Sequence, residues 1–143
     1  MAIVNRDLDS SEQKYVVNVN LGAVATGVTR FLWASPTSAS LESVRYLAAG
    51  VSNAMQVAIE KVPSGAGASG IAMGISNIVL QNTSTSGIPG FSGLAAPGST
   101  LLNLSQGDRI VATSSVSNGN ATELFIQLVV KKTQDIVALW GRQ

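Results

Sequence analysis

The chain contains no cysteine and no histidine, and charged residues make up only 12% of it, with aromatic residues at 5%. Without cysteine it has no disulfide bond and no thiol nucleophile. Without histidine it lacks the most frequent general acid–base group and the most common nitrogen ligand of metals. A typical globular protein has about 25% charged residues. These absences leave few groups for a catalytic centre and favour a structural or binding role.

The scarcity of charge is concentrated in one stretch, because no Asp, Glu, Lys or Arg occurs between Lys61 and Asp108. Nine of the 14 glycines and three of the four prolines fall in this stretch. An uncharged surface is weakly hydrated and makes few repulsive contacts, so it suits packing against another protein. The stretch therefore predicts surface that becomes buried in an assembly.

Net charge and hydropathy narrow the choice of partner. The net charge is +1 and the only adjacent basic residues are Lys131 and Lys132, a pattern that does not favour nucleic acid or an anionic membrane. Mean hydropathy is +0.30, yet no run approaches the ~18 apolar residues of a membrane helix. Residues 1–9 lack the basic-then-apolar order of a signal peptide. We expect protein partners, with no nucleic acid and no membrane.

Short segments in which apolar and polar residues alternate follow one another along the chain. Alternation is clear in segments 15–21, 55–60 and 122–132. Further candidate strands are 28–34, 41–48, 75–81, 100–104 and 109–114. Segment 40–47 is also compatible with a short helix. With turn residues between the segments and no long helix, the pattern predicts an all-β fold, an antiparallel β-sandwich of about eight strands with jelly-roll topology.

The chain divides into three parts by composition. Residues 1–13 form a polar, charged N-terminal arm without alternation, residues 14–133 form the sandwich domain, and residues 134–143 form a C-terminal tail. Terminal segments of this kind are often without fixed structure, but in assemblies they also clasp a neighbouring subunit.

Sequence patterns that could indicate a catalytic, cofactor or metal site have simpler structural explanations in this chain. Residues 65–70, Gly-Ala-Gly-Ala-Ser-Gly, match a dinucleotide-binding loop, but no helix start and no acidic residue about 20 positions later follow. A hairpin loop explains these glycines better. The eight carboxylates show no spacing that would bring two into one cleft, and serine has no histidine partner. A calcium site built from Asp108, Asn118 and Asn120 lacks the usual loop motif. We expect no enzyme activity, no cofactor and no metal.

A tight turn is predicted at residues 105–108. Gly107 permits the backbone conformation that such a turn requires, and Asp108 can accept hydrogen bonds from nearby backbone amides. Ile110 and Ala112 then return to the core with the two-residue period of a strand.

The order of several segments is the basis of a resemblance. After the polar arm come Phe31-Leu-Trp, Leu41-Glu-Ser-Val-Arg-Tyr, Val57-Ala-Ile-Glu-Lys, an uncharged Gly-rich loop, Leu104-Ser-Gln-Gly-Asp-Arg-Ile and Glu123-Leu-Phe-Ile-Gln-Leu-Val-Val-Lys-Lys. Over roughly residues 14–133 this pattern resembles small jelly-roll structural proteins of tailed bacteriophages, especially capsid decoration (cement) proteins.

The resemblance implies a virion protein of the outer capsid surface, assembled in the host cytoplasm. It implies a homotrimer that sits where capsomers meet, binds the major capsid protein and stabilises the shell against the pressure of packaged DNA. It carries over no catalytic residues.

Composition alone suggests which residues would contact a partner. They lie in the arm, in the uncharged loop and in the tail, and they are Ile3, Arg6, Asp7, Ile88, Phe91, Leu94, Leu139, Trp140 and Arg142.

An alternative function is a carbohydrate- or receptor-binding sandwich of a phage fibre or adhesin. In that case Trp33, Tyr46 or Trp140 would stack on a sugar ring. Isolated aromatic residues on strands more often serve as anchors in a core or an interface.

Deletion of residues 1–13 should weaken attachment to a capsid and leave the fold intact, because the sandwich domain is predicted to begin after the arm. Co-sedimentation with capsids measures attachment, and circular dichroism is the control for folding. Attachment at full strength would remove the arm from the binding surface.

Overall fold

The computed structural model describes residues 13–53, 55–65, 70–74, 76–81, 90–91, 94–96, 98–114 and 119–133. Ten strands and one 3-10 helix occur in these residues. In chain order, the strands are β1 (Lys14–Ala25), β2 (Thr29–Ala34), β3 (Ala39–Ala49), β4 (Gln56–Val62), β5 (Ile71–Ala72), β6 (Ile78–Val79), β7 (Gly90–Phe91), β8 (Asn103–Leu104), β9 (Arg109–Ser114) and β10 (Asn120–Lys132). The 3-10 helix, Thr100–Leu102, immediately precedes β8.

The strands form two antiparallel sheets. The first has the order β1-β10-β3-β7, with β8 also paired to β3, and the second has the order β2-β9-β4-β5, with β6 also paired to β4. Because β7 and β8 share one side of β3, and β5 and β6 share one side of β4, the ten strands occupy eight positions. Numbered this way, the orders are 1-8-3-6 and 2-7-4-5, the arrangement of a jelly roll. The predicted fold class, an antiparallel β-sandwich, is confirmed.

The core lies between the two sheets and follows the alternation seen in the sequence. From Leu124 to Val130, every second residue of β10 points inward and is at most 1% exposed: Leu124, Ile126, Leu128 and Val130. The second sheet faces this row with Val57, Ile59, Ile110 and Ala112, and Met55 and Met73 fill the space between the layers. Burial of one such aliphatic side chain contributes about 1.5–3 kcal/mol.

The segment that was also compatible with a helix is strand β3. It pairs along its length with β10, from Ala39 opposite Lys132 to Ala49 opposite Glu123, with one bulge. A two-residue period buries both Val44 and Tyr46, which a helix would place on different faces. Pairing with a long neighbouring strand therefore decided the local structure.

Asp108 joins three loops at one end of the sandwich. Its buried carboxylate accepts hydrogen bonds from the backbone N–H groups of Ser105 at 2.8 Å and Ser64 at 2.9 Å. The Asp108 N–H donates to the Ser105 carbonyl at 3.0 Å, and Gly107 adopts φ +89°. Ser35 adds the third loop, donating its N–H to the Asp108 carbonyl at 2.8 Å. The predicted turn and the predicted role of Asp108 are confirmed.

Replacement Asp108→Ala should lower the free energy of unfolding by about 2–4 kcal/mol, because two backbone N–H groups lose a charged acceptor in a buried site. Asp108→Asn is the matched control, since it keeps the shape and one acceptor oxygen and should cost less. Urea unfolding followed by circular dichroism measures both. A loss under about 0.5 kcal/mol for the alanine variant would mean that the carboxylate does not hold these loops together.

Candidate functional site

The outward side chains of β1, β10 and β3 form a continuous surface, here named the outer face. Strand alternation places them opposite the core, because their neighbours in sequence are the inward residues. Three rows that run across the strands build the outer face. These rows are Val16–Val129–Ser43, Asn18–Gln127–Arg45 and Asn20–Phe125–Leu47.

Arg45 is the only charged residue in these three rows. Val16 is 59% exposed and Leu47 is 40% exposed, and Phe125 and Val129 are half-buried beside them. The amides are ordered across the strands, since Gln127 donates a hydrogen bond through Nε2 to Asn18 Oδ1 at 3.0 Å. The centre of the face thus combines apolar and neutral polar groups with one charged residue, Arg45.

Charged residues lie at the two ends of the outer face. At one end Lys14 and Glu42 form an ion pair at 2.9 Å, next to Lys131, which is in register with Lys14. At the other end Glu123 is exposed. A centre with a single charged residue, Arg45, and a charged rim is the composition of a protein–protein interface.

The outer face is shallow. An open depression of about 550 Å³ lies beside Leu47 and Phe125 and extends to Asn20 and Glu123. A smaller one, about 200 Å³, lies between Arg45 and Gln127 on the same side. Small-molecule sites are usually clefts that enclose most of the ligand. These open depressions therefore suit contact with a broad protein surface better than binding of a small molecule.

The opposite surface of the sandwich is less uniform. Phe31 is 57% exposed there, but it lies opposite Val111, which in turn pairs with the charged Glu60. Val79 and Ile71 are also exposed, and each belongs to a two-residue strand at the edge of the second sheet. The outer face is therefore the better candidate for a binding surface.

Two of the residues predicted from composition to contact a partner lie within the described structure. Phe91 belongs to β7 and is in register with Val44. Leu94 forms a backbone bridge with Gly74 and packs, half-buried, against the core. The other seven, Ile3, Arg6, Asp7, Ile88, Leu139, Trp140 and Arg142, lie outside the described residues.

Part of the uncharged stretch serves the core. Its described residues Met73, Ile78, Leu80, Leu102 and Leu104 are all buried between the sheets. The outer face comes instead from β1, β3 and β10, which the composition did not indicate as a binding surface.

A signal for the outer face was present in β10. No charged residue occurs between Glu123 and Lys131, and the outward positions Phe125 and Val129 are apolar like the inward ones. In an antiparallel sheet, an apolar run on both sides of a strand indicates that both faces become buried. In β1, Val16 is likewise an apolar residue at an outward position.

Two of the three aromatic residues proposed as sugar platforms lie in the interior or against it. Tyr46 is only 5% exposed, and its hydroxyl accepts a hydrogen bond from the Gln81 N–H at 3.2 Å. Tyr46 is a core anchor, so its proposed role in sugar stacking is wrong. Trp33 is half-buried, with its ring centroid 5.6 Å from that of Tyr15. Trp140 lies outside the described residues.

The glycine-rich motif at residues 65–70 does not lead into a helix. Strand β5 follows it and pairs antiparallel with β4, which confirms the interpretation as a hairpin connection. Over the described part of the chain, no group of three carboxylates is placed to hold a metal ion. That part also holds no helix with the length and hydropathy needed to cross a membrane.

No known protein family, no characterised protein and no solved structure matches the chain. The function is therefore inferred from the residues and their geometry. Among the described features, the outer face gives the strongest indication of a binding surface.

Proposed function

We propose that this protein is a non-enzymatic structural protein that attaches to the outer surface of a bacteriophage capsid and stabilises the shell. The observation that best supports this proposal is the outer face, a surface whose three rows hold one charged residue, Arg45, and which is supported by the three longest described strands. The segment order that resembles decoration proteins supplies the identity of the partner, the major capsid protein.

The side chains of the outer face have the distribution that a protein interface requires. Phe125 and Leu47 are adjacent across β10 and β3 and would supply apolar area near the centre. Asn18, Asn20 and Gln127 would supply neutral hydrogen bonds, at a density of about one bond per 100–200 Å². Neutral amides lose less solvation free energy on burial than charged groups do.

Arg45 is suited to be an anchor within this surface. Arginine is enriched among the residues that contribute most to binding, since its guanidinium can form several hydrogen bonds and also stack on apolar groups. Arg45 is exposed and borders the smaller depression with Leu47 and Phe125.

The rigidity of the surface also suits a stabilising role. The strand β10 pairs with β1 on one side and with β3 on the other, so the backbone beneath the outer face is held by two ladders of hydrogen bonds. A preformed surface loses little conformational entropy on binding. Such a platform can bridge neighbouring capsid subunits and resist their separation.

Replacement Leu47→Lys should weaken attachment to capsids at least about tenfold, because a charge would be buried in an apolar contact at a cost above about 1.4 kcal/mol. Val79→Lys is the matched control, since Val79 has similar exposure, 48% against 40% for Leu47, and lies on the other sheet. Co-sedimentation with capsids that lack the protein measures attachment.

The heat stability of the decorated capsids provides a second readout, which should fall with Leu47→Lys only. Equal attachment of both variants, or equal loss, would contradict the assignment of the outer face as the capsid-binding surface.

A further inference from the structure

Strand β1 is at the edge of the first sheet. It pairs with β10 on one side, and no strand among the described residues pairs with its other side. The pairing with β10 is regular from Lys14 to Asn20 and becomes irregular around Gly22. A regular edge of about seven residues is therefore open to another strand.

The register shows which backbone groups face this open edge. The Lys132 N–H donates to the Gln13 carbonyl at 2.9 Å, so Gln13 and every second residue after it bond to β10. The backbone N–H and C=O groups of the alternate residues point away from β10. These residues are Lys14, Val16, Asn18 and Asn20.

This part of the edge has little protection against pairing. Natural edge strands are commonly blocked by charged residues, proline or bulges. Here Lys14 marks one end, and at the other end Gly22 forms the bulge while Arg30 Nη2 bonds the Ala23 carbonyl at 3.1 Å. The residues between them include no charge and no proline.

The inward side of β1 is also incompletely covered. Tyr15, Val17, Val19 and Leu21 pack against the core but are only half-buried. The corresponding residues of β10, the neighbouring strand, are at most 1% exposed. The apolar row of β1 would gain contacts if the sheet continued beyond it.

We propose that a second copy of this chain continues the sheet, with its own β1 pairing antiparallel to β1 across a two-fold axis. The match in length favours this occupant over the other edges in the described part of the chain. Among the described edge strands, β2 has six residues with a bulge, and β5, β6, β7 and β8 have two residues each. Of these described edges, only another β1 is equally long and regular.

A register centred on Val17 uses all the outward backbone groups. Lys14 then lies opposite Asn20 of the second copy and Val16 lies opposite its Asn18, so that four residue pairs form about eight hydrogen bonds. On the inward side, Val17 lies opposite Val17 of the second copy, and Tyr15 lies opposite Val19 of the second copy. The two half-buried apolar rows become adjacent.

Charge is compatible with this register. The two Lys14 side chains lie six residues apart along the pair, about 20 Å, which exceeds the screening length of ~8 Å at physiological salt. The resulting dimer joins two outer faces into one wider surface. It adds to the proposed function without depending on it, and it differs from the trimer that the resemblance implies.

Light scattering coupled to size exclusion tests the pairing on the full chain, with no capsid present. The wild type should have twice the mass of one 14.7 kDa chain. Val16→Lys/Asn18→Lys sets like charges against each other across the pair and should reduce the mass to one chain. Val16→Lys/Asn18→Glu sets opposite charges against each other in the same register and should restore the dimer.

The control is Val79→Lys/Gln81→Lys, which adds the same charge at two exposed positions, one in β6 of the second sheet and one two residues after it, and should remain dimeric. Circular dichroism shows that each variant is folded, as expected because Val16 and Asn18 point to solvent. A wild type that is a single chain or a trimer overturns the proposal, and so does a dimer that survives the two lysines. A lysine–glutamate variant that stays a single chain overturns the register centred on Val17.

Discussion

The burial of β10 between β1 and β3 is the constraint on which the rest of the structure depends. Its inward row, Leu124 to Val130, forms the floor of the core, and both sides of its backbone are satisfied by antiparallel partners. Among the described strands, no other lies between two neighbours of more than ten residues each. The position of β10 sets the register of β1 and β3, and thereby decides which of their residues face the core.

The same pairing creates the outer face. Successive side chains of a strand point to opposite sides of a sheet, so once Ile126 is directed into the core, Phe125 and Gln127 must face outward. Their cross-strand neighbours are then Asn20 and Leu47 for Phe125, and Asn18 and Arg45 for Gln127. The candidate binding surface is therefore a direct geometric consequence of how the core is filled.

The two ends of the sandwich are held by polar groups. At one end Asp108 connects three loops. Near the turn from β1 to β2, the buried Ser114 donates through Oγ to the Ala25 carbonyl at 2.6 Å, while its N–H donates to the Val28 carbonyl at 3.0 Å. These bonds guide the chain from one sheet to the other, a crossing that apolar packing alone does not direct.

The sequence by itself determined the fold class and part of the core. Alternation identified the inward rows of β1, β4 and β10, and Gly107 with Asp108 identified a turn, because both signals depend only on residues near one another in the chain. Segment 40–47 was compatible with a strand or a short helix from its sequence alone, and its pairing with β10 decided for the strand. The tertiary structure alone decided the outer face, since its rows join residues such as Val16 and Val129 that are far apart in sequence. It also decided that β1 is an edge, because the number of neighbours a strand has is a property of the sheet and leaves little trace in the strand's own residues.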